Sequence, residues 1–558
     1  MNLIVNNIDS TRARGQFGLS VSGEKGTTRP IVWSIAGSDS GGGAGVQADI
    51  KAFNAFGGVH GCTAVAVITA QNSVSITRVE PVSAELLDAQ LAALAQDMPP
   101  QAIKTGLLGS VENLRVVCRW VDQLRAQGLA VPLVVDPVLS ATTGVGFADD
   151  AMVQAYINEL LPRATLVTPN RGESLRLLRA AAQQGHEDSG VEAMARTLSA
   201  FASPPLAVVI TGGDASAQEG TASDWLSSPQ ANGWLSLPRV DTPHQHGTGC
   251  TFASTAAAAL ASGYCVADAV VLAKMATTHA LRHGYTAGAG AGPVCTQADF
   301  AQQIANLPAL ATVGAAARAS ASFGTGSVVA PTAFRALRDP ALGVYAVVDS
   351  AEWVRRVLAA GIRTVQLRIK DPNEPALEAQ IWESIALANA TPGAQLFIND
   401  HWALALRLGA YGVHLGQEDL DTVDLDALRH AGVRLGLSTH SYWEVARAWA
   451  LRPSYIACGP IFATQSKDMP WIPQGLDNLR YWAGLLPVPV VGIAGIDVRN
   501  IAEVAAQDVA SAAVITAITL ATDPEGACHR LMAEFARGQE LLREGLPSLA
   551  KSTLHPVG

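Results

Sequence analysis

The sequence predicts two α/β units in series, a mostly parallel sheet covered by helices on both faces and then a closed (β/α)8 barrel. Three observations carry that prediction. Between about 30 and 300, short apolar runs alternate with helical patterns, as in a parallel sheet wrapped by helices. Beyond about 340, eight short apolar runs follow one another with room for one helix between each pair. Between the two regions the pattern dissolves into Ala, Ser, Gly and Thr, the composition of a connector. At 558 residues the chain is in any case too long for one hydrophobic core.

Taken in order, residues 1–29 are polar and Gly-dotted and read as a loose N-terminal extension. The first strand, Ile31 to Ala36, runs into the glycine loop Gly37-Ser38-Asp39-Ser40-Gly41-Gly42-Gly43-Ala44-Gly45. A helix follows with Val46, Ile50, Phe53 and Phe56 on one face and stops at Gly57-Gly58. Further strands are expected at Ala64–Thr69, Leu133–Val138, Thr165–Thr168 and Ala207–Thr211. The first unit is placed at 30–300, the connector at 301–338, the barrel at 339–547 and a C-terminal tail at 548–558. The barrel strands begin near Gly343, Thr364, Leu396, Gly412, Arg434, Tyr455, Val488 and Ala512. Periodicity alone would also allow an open doubly wound sheet there.

Composition narrows the function. The formal net charge is −10, so no broad basic face is available for a nucleic-acid backbone, and small phosphorylated ligands held in local pockets fit better. Seven scattered cysteines without CxxC spacing argue against a disulfide scaffold or structural zinc and for a reducing cytoplasm. The N-terminus has no apolar signal-peptide core, and no run reaches the ~18 apolar residues of a membrane span. A homo-oligomer is left open.

In the first unit, His246-Gly247-Thr248-Gly249-Cys250-Thr251 opens an alanine-rich helix. Small residues let backbone N–H groups turn inward, and the positive end of the helix attracts phosphate. An ordinary glycine turn before a helix is equally compatible with these six residues. Asp136-Pro137-Val138 and Thr168-Pro169-Asn170, the latter followed by Glu173, place polar groups at strand ends along one sheet edge, where open α/β sheets bind ligands. An amide and a carboxylate at that spacing could orient hydrated Mg²⁺, although each alone reads as a helix cap.

Those motifs, with Gln47-Ala48-Asp49 and Thr69-Ala70-Gln71-Asn72, resemble the hydroxymethylpyrimidine and phosphomethylpyrimidine kinases of the ribokinase-like superfamily over about 30–295. The resemblance implies that Gln71 bonds the pyrimidine, with Asp49, Leu107 and Val138 nearby. ATP would lie over Gly247, Thr248 and Gly249, with Asn170, Glu173 and Thr211 close by. It implies Cys250 as the group that takes the substrate hydroxyl proton, its thiol lowered from ~8.5 by the helix N-terminus. Thr211 stands where the family often has lysine, and Pro243-His244-Gln245 replaces a more usual Lys-Asn-Thr.

In the second unit, Gln366-Leu367-Arg368-Ile369-Lys370 alternates, so three polar side chains project to one side of a strand end. A half-exposed strand with solvated charges would look the same. Polar groups recur, however, at later strand ends: Asn399-Asp400, Gln417-Glu418-Asp419, Ser438, Thr464 with Ser466-Lys467, Gly495 and Ile515-Thr516. In a β/α barrel these ends face one opening. Asp400 and Asp419 could share one Mg²⁺, and Arg368, Lys370 and Lys467 could face phosphate oxygens.

This set, with Gly459-Pro460-Ile461-Phe462, Gln474-Gly475 and Gly492-Ile493-Ala494-Gly495-Ile496, resembles thiamine phosphate synthase, a TIM-barrel family, over about 340–535. The resemblance implies Mg²⁺-assisted loss of diphosphate from an aminopyrimidine methylene carbon and attack by the nitrogen of a thiazole phosphate. Gln366, Lys370, Asn399, Ser438, Thr464 and Ser466 would hold the pyrimidine diphosphate. Gly495, Ile515 and Thr516 would hold the thiazole phosphate. Together the resemblances imply consecutive steps of thiamine synthesis. The alternatives are a first unit acting on another vitamin alcohol such as pyridoxal, or a unit that only senses its ligand; the presence of Cys250, Asp400, Asp419 and Lys467 counts against sensing.

Overall fold

A computed structural model describes residues 28–140, 146–181, 190–213, 220–311, 332–463 and 471–554. The first unit holds a ten-stranded sheet: β1 (Ile31–Gly37), β2 (His60–Gln71), β3 (Ile76–Pro81), β4 (Ala102–Thr105), β5 (Leu133–Val135), β6 (Leu166–Val167), β7 (Ala207–Ile210), β8 (Thr221–Ser227), β9 (Asn232–Pro238) and β10 (Ala309–Ala311). Their order is β10-β9-β8-β7-β6-β5-β4-β1-β2-β3. From β2 to β7 neighbours run parallel; β3 and β8 to β10 add antiparallel edges.

The pleat explains how this sheet is covered on both sides. Successive side chains of a strand face opposite ways. Val32 accordingly packs with Phe53, Phe252 and Ala256, whereas Trp33 and Ile35 pack with Leu87, Leu114 and Val117 on the other face. Helices Gly45–Phe56, Thr248–Ala261 and Val266–Arg282 form the first layer, and Ala84–Asp97 and Val111–Ala126 belong to the second.

The barrel closes from β11 (Gly343–Val348) through β12 (Thr364–Leu367), β13 (Gln395–Asn399), β14 (Gly412–Leu415), β15 (Arg434–Thr439), β16 (Tyr455–Cys458) and β17 (Val490–Ile493) to β18 (Ser511–Val514). Pairing of Gly343 with Ser511 through Ala346 with Val514 completes the circle. An open doubly wound sheet is thereby excluded. Tyr345, Val347, Phe397, Tyr455 and Val491 fill the interior.

Two differences from the sequence expectation concern joins. Residues 309–311 form strand β10 on β9, so the first unit's sheet continues past the expected start of the connector. The expected tail is built in as well: Tyr264 donates to the Ala550 carbonyl, Ala550 N–H to the Tyr442 hydroxyl at 3.0 Å, and Ser552 to the Gly263 carbonyl at 2.7 Å. Tyr264, Tyr442, Tyr481 and Trp482 pack edge to face at this join, where Tyr481 also donates to the Ala301 carbonyl. Among the described residues no helix is long and apolar enough to cross a membrane.

Candidate active sites

In the first unit, β1 ends in a loop wound around one carboxylate. Asp39 accepts backbone N–H groups from Gly41 (2.8 Å), Gly43 and Ala44 (both 2.9 Å), and His246 Nε2 lies 2.9 Å from its Oδ2. Burial would raise the Asp39 carboxyl, yet His246 and these N–H donors hold it below the usual range. Gly247, at φ +87°, sits so close that a Cβ there would fall 2.0 Å from the Gly43 carbonyl oxygen. Glycine loop and anion turn are therefore packed as one body. Gln71, at the end of β2, places its amide nitrogen 3.2 Å from His246 Nε2, and Leu107 lies against Gly37.

Beneath the turn is a buried charge cluster. Lys104, on central strand β4, bonds both Asp49 oxygens at 2.9 and 3.0 Å, and both side chains have no exposure. Ser34 and Ser254 donate to the same carboxylate at 2.5 and 2.7 Å. Both Asp49 oxygens are thus bonded to donors inside the protein. Burial works to lower the Lys104 ammonium, but Asp49, Cys250 and Asp136 raise it above its ordinary value. Asp136 is pushed up to about 6 by burial, with Lys104 opposing, and a Cβ on Gly249 would lie 3.8 Å from it.

The expected lowering of Cys250 is corrected here. Burial pushes the thiol up to about 12, and the pull of Lys104 only partly offsets that cost. Asn170 and Glu173 form a capping box: Asn170 Oδ1 accepts Glu173 N–H at 2.9 Å and Glu173 Oε2 accepts Asn170 N–H at 3.0 Å. Thr211 pairs beside Asn170, so the ends of β6 and β7 do meet. Thr248 begins the helix that carries Cys250, and Val138 follows Asp136 on the same edge.

In the barrel, Gln366, Arg368, Lys370, Asn399, Asp400, Asp419, Ser438, Gly495, Ile515 and Thr516 all fall at the carboxyl ends of strands or just beyond. Asp419 Oδ2 accepts the Gly416 N–H at 2.7 Å. The Asp400 carboxyl is raised by burial and by the Asp419 charge and lowered by Arg368, so these three side chains share one electrostatic environment. Two carboxylates supply the hard oxygen donors that Mg²⁺ prefers, and the partial exposure of Asp419 leaves room for the waters Mg²⁺ retains. Thr464, Ser466 and Lys467 lie outside the described residues.

Sequence reasoning missed the chain under this mouth. Gln366 donates to Tyr345 (3.3 Å), the Tyr345 and Tyr455 hydroxyls are 2.8 Å apart, and His414 bridges Tyr455 (2.7 Å) to Ser438 (2.8 Å). Burial, with Arg368 adding to it, pushes His414 down to about 4, so the ring is neutral near pH 7. Gln366 and Ser438 are thereby linked through the barrel interior. Ala494, at φ +78°, and Gly495, at φ +70°, shape the end of β17.

These two edges define a pair of small-molecule-phosphate enzymes, one on a ribokinase-like sheet and one on a TIM barrel. Residues 39–295 match the phosphomethylpyrimidine kinase family and residues 344–518 the thiamine monophosphate synthase family. A thiamine-phosphate synthase from Serratia proteamaculans is 54% identical over 200 residues, which are 36% of this chain and 93% of that protein. The chain belongs to the thiamine-phosphate synthase family and carries a phosphomethylpyrimidine kinase unit ahead of it, a bifunctional enzyme of thiamine biosynthesis. Solved structures similar to the first unit include the Bacillus subtilis pyridoxal kinase in an ADP complex (31% identical, 48% of this chain, 98% of that one, TM-score 0.42) and a phosphomethylpyrimidine kinase from Clostridium difficile 630 (29%, 45%, 100%, TM-score 0.38).

Proposed function

We propose that the first unit uses ATP to phosphorylate 4-amino-5-hydroxymethyl-2-methylpyrimidine and its monophosphate, and that the barrel joins the resulting diphosphate to a thiazole phosphate. The observation that carries this reading is that each unit gathers its ionisable groups at the carboxyl ends of its parallel strands, the ligand edge of both folds.

In the kinase unit, Gln71 reads the pyrimidine and the turn of Gly247, Thr248 and Gly249 receives phosphate at the helix N-terminus. The thiolate form of Cys250, favoured by the Lys104 ammonium below, takes the hydroxyl proton as the oxygen attacks phosphorus. In the barrel, Asp400 and Asp419 would hold Mg²⁺, whose charge offsets that of the departing diphosphate. Arg368 and Lys370 bond phosphate oxygens, while Gln366, Asn399 and Ser438 orient the pyrimidine ring. No protein nucleophile is needed, because the electron-rich ring stabilises the cation left behind. Lys467, Thr464 and Ser466 complete this set from the sequence. Gly495, Ile515 and Thr516 receive the thiazole phosphate.

The test supplies hydroxymethylpyrimidine, thiazole phosphate, ATP and Mg²⁺ to the purified chain and follows thiamine phosphate by mass spectrometry. Product that requires all four reagents is expected. Unreacted pyrimidine would remove the kinase assignment, and accumulated pyrimidine diphosphate the synthase assignment.

A further inference from the structure

The hydrogen-bond chemistry around Gln71 is over-determined in a way that bears on specificity. Asp39 can only accept, since its carboxylate already takes three backbone N–H groups. His246 Nε2, 2.9 Å from it, therefore carries a hydrogen. The Gln71 amide nitrogen, itself a donor, stands 3.2 Å from that same Nε2, and its oxygen is 3.5 Å from the Thr69 hydroxyl. Two donors cannot bond each other. A half-turn of the amide brings its oxygen to His246 and its nitrogen to Thr69, and every group then meets a partner of the opposite kind; the two ends are nearly the same shape, so only this chemistry separates them. One Nε2 hydrogen then serves both Asp39 and Gln71 as a three-centre bond.

The surroundings leave little else to move. The Gln71 backbone is clamped by Ser40, whose hydroxyl donates to its carbonyl at 2.6 Å and accepts its N–H at 2.8 Å. His246 is held by backbone bonds with Gly292 and Val294, and its ring lies so close to Gly43 that a Cβ there would be 2.4 Å from it. Only the direction of the Gln71 amide is free, and His246 sets it.

We propose that His246 is a specificity-determining positioning residue of the kinase unit: through its Nε2 hydrogen it fixes Gln71 with the amide oxygen inward, the orientation that reads an aminopyrimidine edge. This rests on the reading that Gln71 faces the pyrimidine. With the amide fixed, its free lone pair and free N–H match an exocyclic amino group beside a ring nitrogen. A 4-oxo pyrimidine with N3–H presents the reverse order and needs the amide turned over, which sets donor against donor at His246. The ring cannot turn over instead, because its hydroxymethyl group must face Cys250.

The experiment measures kcat and KM of the full chain for the 4-amino substrate and its 4-oxo counterpart in wild type, His246→Leu and His246→Gln. Wild type is expected to favour the amino substrate. His246→Leu should lose at least tenfold of that preference, chiefly as a rise in KM for the amino substrate. His246→Gln, which returns a donor nitrogen near the Nε2 position, should restore it. Should the leucine variant not fold, His246→Asn, whose amide stops short of Gln71, carries the same expectation. Wild-type selectivity that persists in the leucine or asparagine variant overturns the proposal alone; a wild type that accepts both pyrimidines equally overturns the reading of Gln71 with it.

Discussion

The carboxylate of Asp268, in the kinase unit, accepts the backbone N–H of Trp443, in the synthase barrel, at 2.8 Å. Ser441 and the Tyr442 N–H bond it as well, so one unit caps the first turn of the other's helix Tyr442–Ala450. Loss of a helix cap costs about 1 kcal/mol. Asp268→Ala should therefore lower the thermal midpoint and leave the kinase constants unaltered.

The same carboxylate predicts a pH dependence. Burial pushes it up to about 6 against these donors, from an ordinary value of 3.8. A carboxyl raised in the folded state holds its proton more tightly there, so its contribution to stability is fullest below pH 4 and declines as pH rises to 6. Asp268→Asn cannot ionise. Its thermal midpoint, measured against wild type from pH 4 to 7, should gain steadily up to about pH 6 and then stay level.

Ala494 at φ +78° holds a backbone conformation that costs an L-residue about 1–2 kcal/mol. Ala494→Gly should recover about 1 kcal/mol in denaturant titration. Gly495→Ala should do the opposite and impair condensation, since its Cβ would stand 2.7 Å from that of Phe462.

For Cys250, a thiol pushed up to about 12 is almost entirely neutral at pH 7. If its thiolate limits the rate, phosphorylation should accelerate with pH up to the point where the fold fails, without a plateau near 8. Cys250→Ala should lower turnover by about 10²–10⁴-fold and leave condensation of supplied pyrimidine diphosphate intact.

The converse holds in the barrel. Asp419→Ala removes one of two carboxylates and the acceptor for Gly416 N–H. Condensation should fall and require more Mg²⁺, by about 10–100-fold, while phosphorylation continues. Titrating Mg²⁺ in a condensation assay started from pyrimidine diphosphate, which bypasses the kinase, checks this.

Much of the architecture was legible because buried parallel strands leave dense apolar runs; the barrel starts at Gly343, Thr364, Gly412, Arg434 and Tyr455 coincide with β11, β12, β14, β15 and β16. Strands β8 and β9 escaped notice because Thr221–Ser227 and Asn232–Pro238 mix polar with apolar residues, as antiparallel strands with one solvated face do. Lys104 escaped for a different reason. A lysine in a four-residue strand reads as a solvated charge until the sheet order places β4 between β1 and β5 and brings Asp49 above it. His414 likewise looks unremarkable in Gly412–Leu415, and only closure of the barrel brings it between Tyr455 and Ser438. In each case the signal lies in pairing across distant segments, which local periodicity does not contain.

The segment Ala550–Leu554 has a consequence for biosynthesis of the protein itself. Its bonds to Gly263 and Tyr264 span 286 to 289 residues, and Thr553 also bonds the His440 carbonyl and the Ile472 N–H. On a ribosome the kinase sheet can form while the barrel is still being translated, because none of its strands needs a barrel residue as a partner. The seam between the units lacks these bonds until the last of these residues has left the exit tunnel. A nascent chain stalled before residue 550 would therefore expose Tyr264 and Tyr442 without their backbone partner, and quality-control machinery would meet a finished first unit with an unfinished join.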